Sequence, residues 1–118
     1  MLPKKNRLTK DRDFKRVYKN VSKTKGTFLS IRYNANNRNN SRFGIIVSNK
    51  AISRAVKRNL VKRRLRQALR GYLDKIKSGY DVILKLERMP HGAILKNLKA
   101  DDFSLELDKL FERSNLFK

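Results

Sequence analysis

The central part of the chain, residues 50–70, reads KAISRAVKRNLVKRRLRQALR. It contains nine Lys or Arg residues and neither Asp nor Glu. At about 100° per residue on a helix, its side chains separate into an apolar face and a basic face. The apolar face consists of Val61, Leu65, Ala68 and Leu69 and continues to Tyr72 and Ile76, and the basic face consists of Asn59, Lys62, Arg63, Arg66 and Arg70. We predict a helix that packs on one side and presents cations to a polyanion on the other, capped by Ser53 and ending near Lys77.

Strands are predicted on both sides of this helix. Residues 42–48 (RFGIIVS) alternate as a strand in which Gly44 leaves room for a close approach. Residues 81–86 (DVILKL) contain three consecutive apolar residues, which is typical of a strand buried on both faces. Together they predict a βαβ unit, for which the general rule gives a right-handed crossover.

The N-terminal third predicts a helix and a further strand. Thr9 or Asp11 caps a helix ending near Asn20, with an apolar stripe that includes Phe14 and Tyr18. Residues 21–26 are polar and predict a turn, residues 27–33 (TFLSIRY) alternate as a strand, and residues 34–41, with five Asn, predict a hairpin loop. Residues 1–8 predict a flexible basic arm, with packing of Leu8 or a frayed tail as the two alternatives.

The C-terminal part predicts a loop over residues 87–99 and a closing helix from Asp101 onward. The buried stripe of that helix consists of Phe103, Leu107, Leu110 and Phe111. Half of the acidic residues of the chain lie on this helix. We expect it to point away from a polyanion, because its carboxylates are repelled by phosphate.

Composition limits the class of protein. At 118 residues we predict a single domain over residues 1–118, with residues 114–118 as a tail. A net charge of +21 indicates a nucleic-acid partner. The basic helix lacks the Trp or Phe face of a membrane-surface helix, and no apolar run is long enough to span a bilayer, so we expect no membrane partner and a cytoplasmic location. There are no Cys residues, which excludes disulfides and zinc ribbons.

Catalytic groups are scarce. A protein nuclease needs clustered carboxylates or paired His, and the chain has a single His, His91, in a predicted loop. We therefore predict no catalytic residue and no metal site. A second binding surface is predicted between the first helix and the strands, where single-stranded nucleic acid stacks on aromatic rings beside cations. Its candidate residues are Phe14, Tyr18, Arg32, Tyr33 and Ser48, although plain core packing explains Phe14 and Tyr18 equally well.

Three motifs resemble the bacterial ribonuclease P protein family. Residues 58–66 (RNLVKRRLR) match RNxxKRxxR, and residues 42–50 (RFGIIVSNK) match RxGxxVSxK. The pairs Arg7-Leu8, Asp13-Phe14 and Val17-Tyr18 match an RLxxxxDFxxVF opening. The resemblance implies an α/β (α+β) two-layer sandwich similar to domain 2 of ribosomal protein S5. Its implied order is α-β-β-β-α-β-α, with a four-stranded mixed sheet and a left-handed βαβ crossover, against the general rule.

The resemblance also implies a function. The chain would be the accessory protein subunit of a ribonucleoprotein endoribonuclease that removes the 5′ leader of precursor tRNA. Its partners would be precursor tRNA and one catalytic RNA per protein, and the RNA would hold the Mg²⁺ and perform the reaction. The alternative is a structural rRNA-binding protein, which explains the charge equally well.

The resemblance also assigns roles to the residues of this chain that match the family motifs. The resemblance assigns contacts with the catalytic RNA to Arg58, Asn59, Lys62, Arg63 and Arg66, with Lys50, Arg54 and Lys57 in support, and the basic face adds Arg70. It places Phe14, Tyr18 and Ser48 beside the leader. Ile31 stands where several relatives have a cleft Tyr, so we expect stacking on the leader to be weaker or to shift to Tyr33.

Overall fold

A computed structural model describes residues 2–19, 22–88 and 100–118, with the side chains of residues 100–102 left out. A short 3₁₀ turn at Lys4–Asn6 precedes three helices and four strands. These are α1 (Asp11–Lys19), β1 (Lys23–Lys25), β2 (Leu29–Ala35), β3 (Arg42–Val47), α2 (Ala55–Arg70), β4 (Tyr80–Leu86) and α3 (Ala100–Arg113). The predicted order α-β-β-β-α-β-α is confirmed. Its additional strand, β1, lies in the polar segment for which we predicted a turn.

The four strands form one mixed sheet in the order β1-β2-β4-β3. β4 pairs antiparallel with β2 and parallel with β3, so it lies at the centre. Its residues Val82, Ile83 and Leu84 are almost fully buried, as three consecutive apolar residues predicted. The predicted hairpin between β2 and β3 is wrong, because β4 lies between these two strands. The Asn-rich loop instead crosses the end of β4, where Asn36 N–H donates to Gly79 O at 2.8 Å and Asn37 has a φ of 58°.

One face of the sheet carries the main core. Alternation and register direct Ile31, Ile45 and Leu84 to this face, where α2 and α3 cover them. Each buried aliphatic side chain stabilises the fold by about 1.5–3 kcal/mol. The helices contribute the residues predicted from periodicity, namely Val61, Leu65, Ala68 and Leu69 from α2 and Phe103, Leu107, Leu110 and Phe111 from α3. This pair of layers confirms the predicted sandwich.

The opposite face of the sheet is covered only in part, by α1. Val17 and Leu8 pack with Ile83 in a second, smaller core cluster. The Phe14 ring packs over Gly44 so closely that a Cβ at Gly44 would lie 2.4 Å from Phe14 Cζ. Gly44 therefore has the role predicted for it, which is to allow a close approach to the strand.

The long helix is shorter than predicted at both ends. Arg54, with extended backbone, is its N-cap in place of Ser53, and it makes no side-chain capping hydrogen bond. The helix ends at Arg70, and Gly71 follows as C-cap, so an end near Lys77 is wrong. Tyr72 and Ile76 still pack in the main core, but from the turn that follows the helix: Tyr72 Oη donates to Ser104 O at 2.9 Å, and Ile76 forms a β-bridge with Phe117.

The N-terminal segment packs onto the sheet over residues 2–8. Leu2 is 1% exposed and Leu8 is 4% exposed. Leu8 N–H donates to Phe43 O at 2.9 Å, and Asn6 Nδ2 donates to Ser41 O at 2.8 Å. We expected a flexible arm here, and the structure instead joins this segment to β3.

We expected the acidic residues of α3 to point outward, and Glu106 points inward instead. Glu106 is buried and accepts hydrogen bonds from the backbone N–H groups of Thr27, Phe28 and Leu29. Asp108 and Glu112 are exposed on α3, across the sheet from α1. Among the described helices, none is both long and apolar enough to cross a membrane.

Candidate nucleic-acid interface

The outward side of α2 presents the predicted basic residues. The apolar side of this helix packs against the sheet and α3, so the remaining side chains point to solvent. Among the predicted residues, Lys50, Arg54, Lys57, Asn59, Arg63 and Arg70 are exposed, and Arg58, Lys62 and Arg66 are partly buried. The helix contains no acidic residue, and the positive end of its dipole adds to the field at Arg54 and Lys57. This surface can bind several phosphates at once.

Arg58 differs from its neighbours because part of its guanidinium group already donates hydrogen bonds to backbone carbonyls of this chain. Its Nη1 donates to Ile52 O at 3.0 Å and to Ser53 O at 2.7 Å. These bonds hold the loop that leads from β3 into α2. Arg58 thereby fixes the first turn of the basic surface and leaves its other donors for a partner.

On the other face of the sheet α1 leaves part of the strands uncovered, and we call the surface beside Tyr18 and Arg32 the cleft. Tyr18 is 37% exposed there, and the Arg32 guanidinium carbon is 4.7 Å from its ring centroid. Burial raises the pKa of Tyr18, against the opposing effect of the Arg32 charge, so its hydroxyl stays protonated at neutral pH. Phe14 is partly buried against Gly44. Tyr18 and Arg32 therefore meet beside α1, whereas Phe14 packs against the small core cluster, as the alternative of plain core packing has it.

Two residues of the predicted cleft are placed differently. Tyr33 points to the opposite face, because side chains alternate along β2. There its ring packs edge-on against Tyr80, with 6.5 Å between the two ring centroids. Ile31 shares that face and is fully buried, so it does not occupy the position of a cleft Tyr. Ser48 lies one residue past β3, and its hydroxyl accepts the N–H of Ala51 at 3.2 Å. Ser48 thus shapes the turn between the cleft and α2.

The floor of the cleft contains polar residues that the sequence alone did not indicate. The register pairs Ser30 with Lys85, on the same face as Arg32. Ser30 Oγ donates to Glu87 Oε1 at 2.7 Å, and Lys85 and Lys23 lie 3.9 and 4.0 Å from the Glu87 carboxylate. The Ser30 hydrogen bond lowers the pKa of Glu87, with Lys85 and Lys23 contributing. Only the strand register, which sequence periodicity does not determine, brings these groups together.

A buried ion-pair network joins α1 to the sheet at one end of the cleft. Arg42 donates to Asp81 through Nε at 2.8 Å and through Nη2 at 2.7 Å, and its Nη1 lies 3.3 Å from Asp13 Oδ2. The Asp81 hydrogen bond raises the pKa of Arg42. Asp13 lies in the first turn of α1, is 3% exposed and is paired across to β3. This network fixes α1 relative to the strands.

The described parts of the chain contain no candidate metal site. Within residues 2–19, 22–88 and 103–118, no three His, Cys, Asp or Glu side chains are grouped to hold a metal ion. His91 and most of the predicted loop at residues 87–99 lie outside the described residues. The described residues present a basic helix on one side of the sheet and an exposed aromatic ring beside cations on the other.

Comparison with known proteins gives a consistent result. The family model described as Ribonuclease P matches residues 2–115. The ribonuclease P protein component of Fusobacterium nucleatum is 32% identical over 111 residues, covering 94% of this chain and 98% of that protein. The corresponding protein of a Picosynechococcus species is 32% identical over 98% of this chain and 96% of its own length.

Solved structures show the same fold. The structure of the Staphylococcus aureus ribonuclease P protein superimposes with a TM-score of 0.76 at 26% identity, covering 96% of this chain and 98% of that chain. The Thermotoga maritima ribonuclease P protein, in complex with 1-(4-fluorophenyl)-2-thiourea, gives a TM-score of 0.73 at 24% identity, covering 91% of this chain and 98% of that chain.

Proposed function

The chain belongs to the ribonuclease P protein family, and on that premise we propose that it is the protein subunit of a bacterial ribonuclease P acting on precursor tRNA. In this proposal the protein binds the catalytic RNA and the 5′ leader of the substrate, and the complex removes the leader by endonucleolytic cleavage. The observation that carries it is the pairing of two cationic surfaces on opposite faces of one sheet. One surface suits a structured RNA and the other suits a single strand.

The basic side of α2 is the proposed contact with the catalytic RNA. Its cations follow one helix without an interrupting carboxylate, so several can neutralise phosphates of the same RNA. Asn59 adds hydrogen bonds, and the Arg side chains add forked contacts to phosphate oxygens. Because residues 2–19, 22–88 and 100–118 include one such helix, we expect one protein per RNA.

The cleft is the proposed contact with the leader. A single strand binds through stacking of its bases on aromatic rings and through cations along its backbone. Tyr18 provides an exposed ring, and Arg32 lies directly over it. The loop after Ser48 connects the cleft to α2, so leader and catalytic RNA would meet at the same end of the molecule.

The cleavage chemistry is assigned to the RNA and to Mg²⁺ held mainly by that RNA. The described part of the protein offers binding groups and no proton-shuttling pair. Its contribution is to hold the substrate and to screen phosphate repulsion, which otherwise requires high concentrations of cations.

Reconstitution tests this function. The folded protein is mixed with the catalytic RNA of the same organism, and cleavage of precursor tRNA is measured at low Mg²⁺ and near-physiological salt. We expect cleavage only when both components are present. Tight RNA binding without restored cleavage would contradict the proposal and favour a structural rRNA-binding protein.

The leader contact has a separate test. Tyr18→Ala removes the exposed ring, so we expect weaker binding of precursor tRNA by the reconstituted complex, by about fivefold or more for one stacked base. Binding of mature tRNA, which has no leader, should be unchanged. Equal losses for both substrates would refute the assignment of the cleft to the leader.

A further inference from the structure

A carboxylate stands among the cations of the cleft floor. Glu87 lies just past β4, and its hydrogen bond with Ser30 places it on the face of the sheet that α1 leaves partly open. Its side chain is 30% exposed, so a bound molecule can reach it. A binding site for phosphates alone gains nothing from a negative charge at this position, and the function proposed above does not use it.

The carboxylate is held in its charged form and retains acceptor positions. The hydroxyl of Ser30 uses one acceptor position of Oε1. Lys85 and Lys23 lie 3.9 and 4.0 Å away, which is longer than a hydrogen bond. The pKa of Glu87 is lowered, chiefly by the Ser30 hydrogen bond, so the group remains an acceptor at neutral pH. Both oxygens can therefore accept further N–H donors.

The charge of Glu87 selects which part of a nucleic-acid strand can lie against it. A phosphate is repelled by the carboxylate and is attracted to Lys23, Lys85 and Arg32 around it. The edge of a base with N–H donors is attracted, as when a Glu accepts a hydrogen bond from an exocyclic amino group. Guanine suits two carboxylate oxygens best, because its N1–H and N2–H are adjacent donors.

Tyr18 provides the surface that presents a base to this group. Its ring is exposed in the same cleft, and Arg32, which lies over the ring, is two residues from Ser30 on the same face of β2, so Tyr18 and Glu87 border the same stretch of that strand. Unpaired bases are read on their Watson–Crick edges while they stack on aromatic rings. A base stacked on Tyr18 can thus direct its edge to the cleft floor.

We propose that Glu87 is a specificity-determining residue that reads one unpaired base of the leader, with guanine preferred and uracil the poorest of the four. This inference rests on the proposed function and assigns a base preference to the same cleft. Ser30 positions the carboxylate, and Lys23 and Lys85 bind the flanking phosphates.

The test uses the reconstituted ribonucleoprotein and a set of precursor tRNAs. Each leader position near the cleavage site carries G, A, C or U in turn, and Kd is measured for every substrate. We expect one position at which G binds about fivefold or more tightly than U. Glu87→Gln should reduce that preference to less than twofold, because the amide replaces one acceptor with a donor.

Two further variants separate geometry from charge. Glu87→Asp keeps the charge but shortens the side chain, so it should also lose the preference. Glu112→Gln removes the same charge from the exposed side of α3, outside the cleft, and should keep it. Circular dichroism establishes that each variant is folded.

The outcomes distinguish the two proposals. A leader-dependent affinity with no preference for G over U at any position overturns the role of Glu87 and leaves the proposed function standing. Retention of the full preference in both Glu87 variants also overturns it. Equal affinity for precursor and mature tRNA instead refutes leader binding itself.

Discussion

At the scale of single residues, Gly44 controls how closely α1 approaches the sheet. A Cβ at this position would lie 2.4 Å from Phe14 Cζ and 3.3 Å from Leu8 Cβ, so Gly44→Ala must displace the Phe14 ring. We expect a loss of about 1–3 kcal/mol in the free energy of unfolding, measured with urea. Leader-dependent substrate binding should weaken as well, because Phe14 lies on the same helix as Tyr18 and a shift of this helix moves the Tyr18 ring.

A matched control is available in the same chain. Gly71 follows α2 with a φ of −70°, and an added Cβ would meet only Ala68 O at 3.5 Å, an ordinary contact. Gly71→Ala should therefore be neutral or slightly stabilising. Similar destabilisation by both substitutions would show that the Phe14 contact is not the cause.

Arg42 is the second residue whose effect is predicted from its contacts. Its side chain is 12% exposed and contacts two carboxylates that are 5% and 2% exposed, Asp13 and Asp81. Arg42→Met would leave both carboxylates without their principal cation, so we expect the free energy of unfolding to fall by about 3–5 kcal/mol.

Arg16 provides the comparison for Arg42. It lies 3.8 Å from Asp13, but its side chain is 54% exposed, so Arg16→Met should cost no more than about 0.5 kcal/mol. Urea unfolding of both variants measures the difference. A loss below about 1 kcal/mol for Arg42→Met would mean that the network does not hold α1 on the sheet.

At the scale of elements, the cations of α2 should give the binding of the catalytic RNA a defined salt dependence. If each exposed cation neutralises one phosphate of the catalytic RNA, Arg63→Ala should reduce the slope of log K against log salt concentration by about 0.9. Filter binding at several salt concentrations measures this slope. Lys109→Ala on α3 removes an equal charge from the acidic helix and should leave the slope unchanged. Equal effects would indicate a diffuse field instead of a contact surface.

The elements also show how far sequence patterns determine the fold. Local periodicity predicted β4 and the buried residues of α2 and α3, because these depend on residues a few positions apart, and the missing side chain of Gly44 predicted a close approach without showing that Phe14 makes it. It did not predict that β4 separates β2 from β3, or that α2 ends at Arg70, since both depend on packing between distant segments. Three-residue β1 is too short and too polar to have a pattern of its own.

Part of the candidate site could be predicted from the sequence and part could not. The basic side of α2 follows from its sequence, because all its residues belong to one helix. The cleft was predicted in part: Tyr18 and Arg32 meet there, whereas alternation along β2 sends Tyr33 and Ile31 to the opposite face. Glu87 was missed, since only the register of β2 with β4 places it beside Ser30.

At the scale of the whole molecule, the net charge of +21 should limit stability in the absence of a polyanion. Self-repulsion among cations destabilises a compact state, and anions that bind the folded form offset it. We expect the Tm to rise with phosphate by more than it rises with chloride at equal ionic strength. Calorimetry in the two buffers measures the difference, and an equal rise would show that screening alone is responsible.

The strand order has a consequence for synthesis on the ribosome. β2 and β3 leave the ribosome before β4, the strand that pairs with both, and Glu106 follows later still to bind the backbone at residues 27–29. The nascent chain therefore carries most of its cations before its sheet can close. A protein made in this order has unpaired strand edges and exposed positive charge during translation, so a polyanion close to the ribosome can bind it before folding is complete.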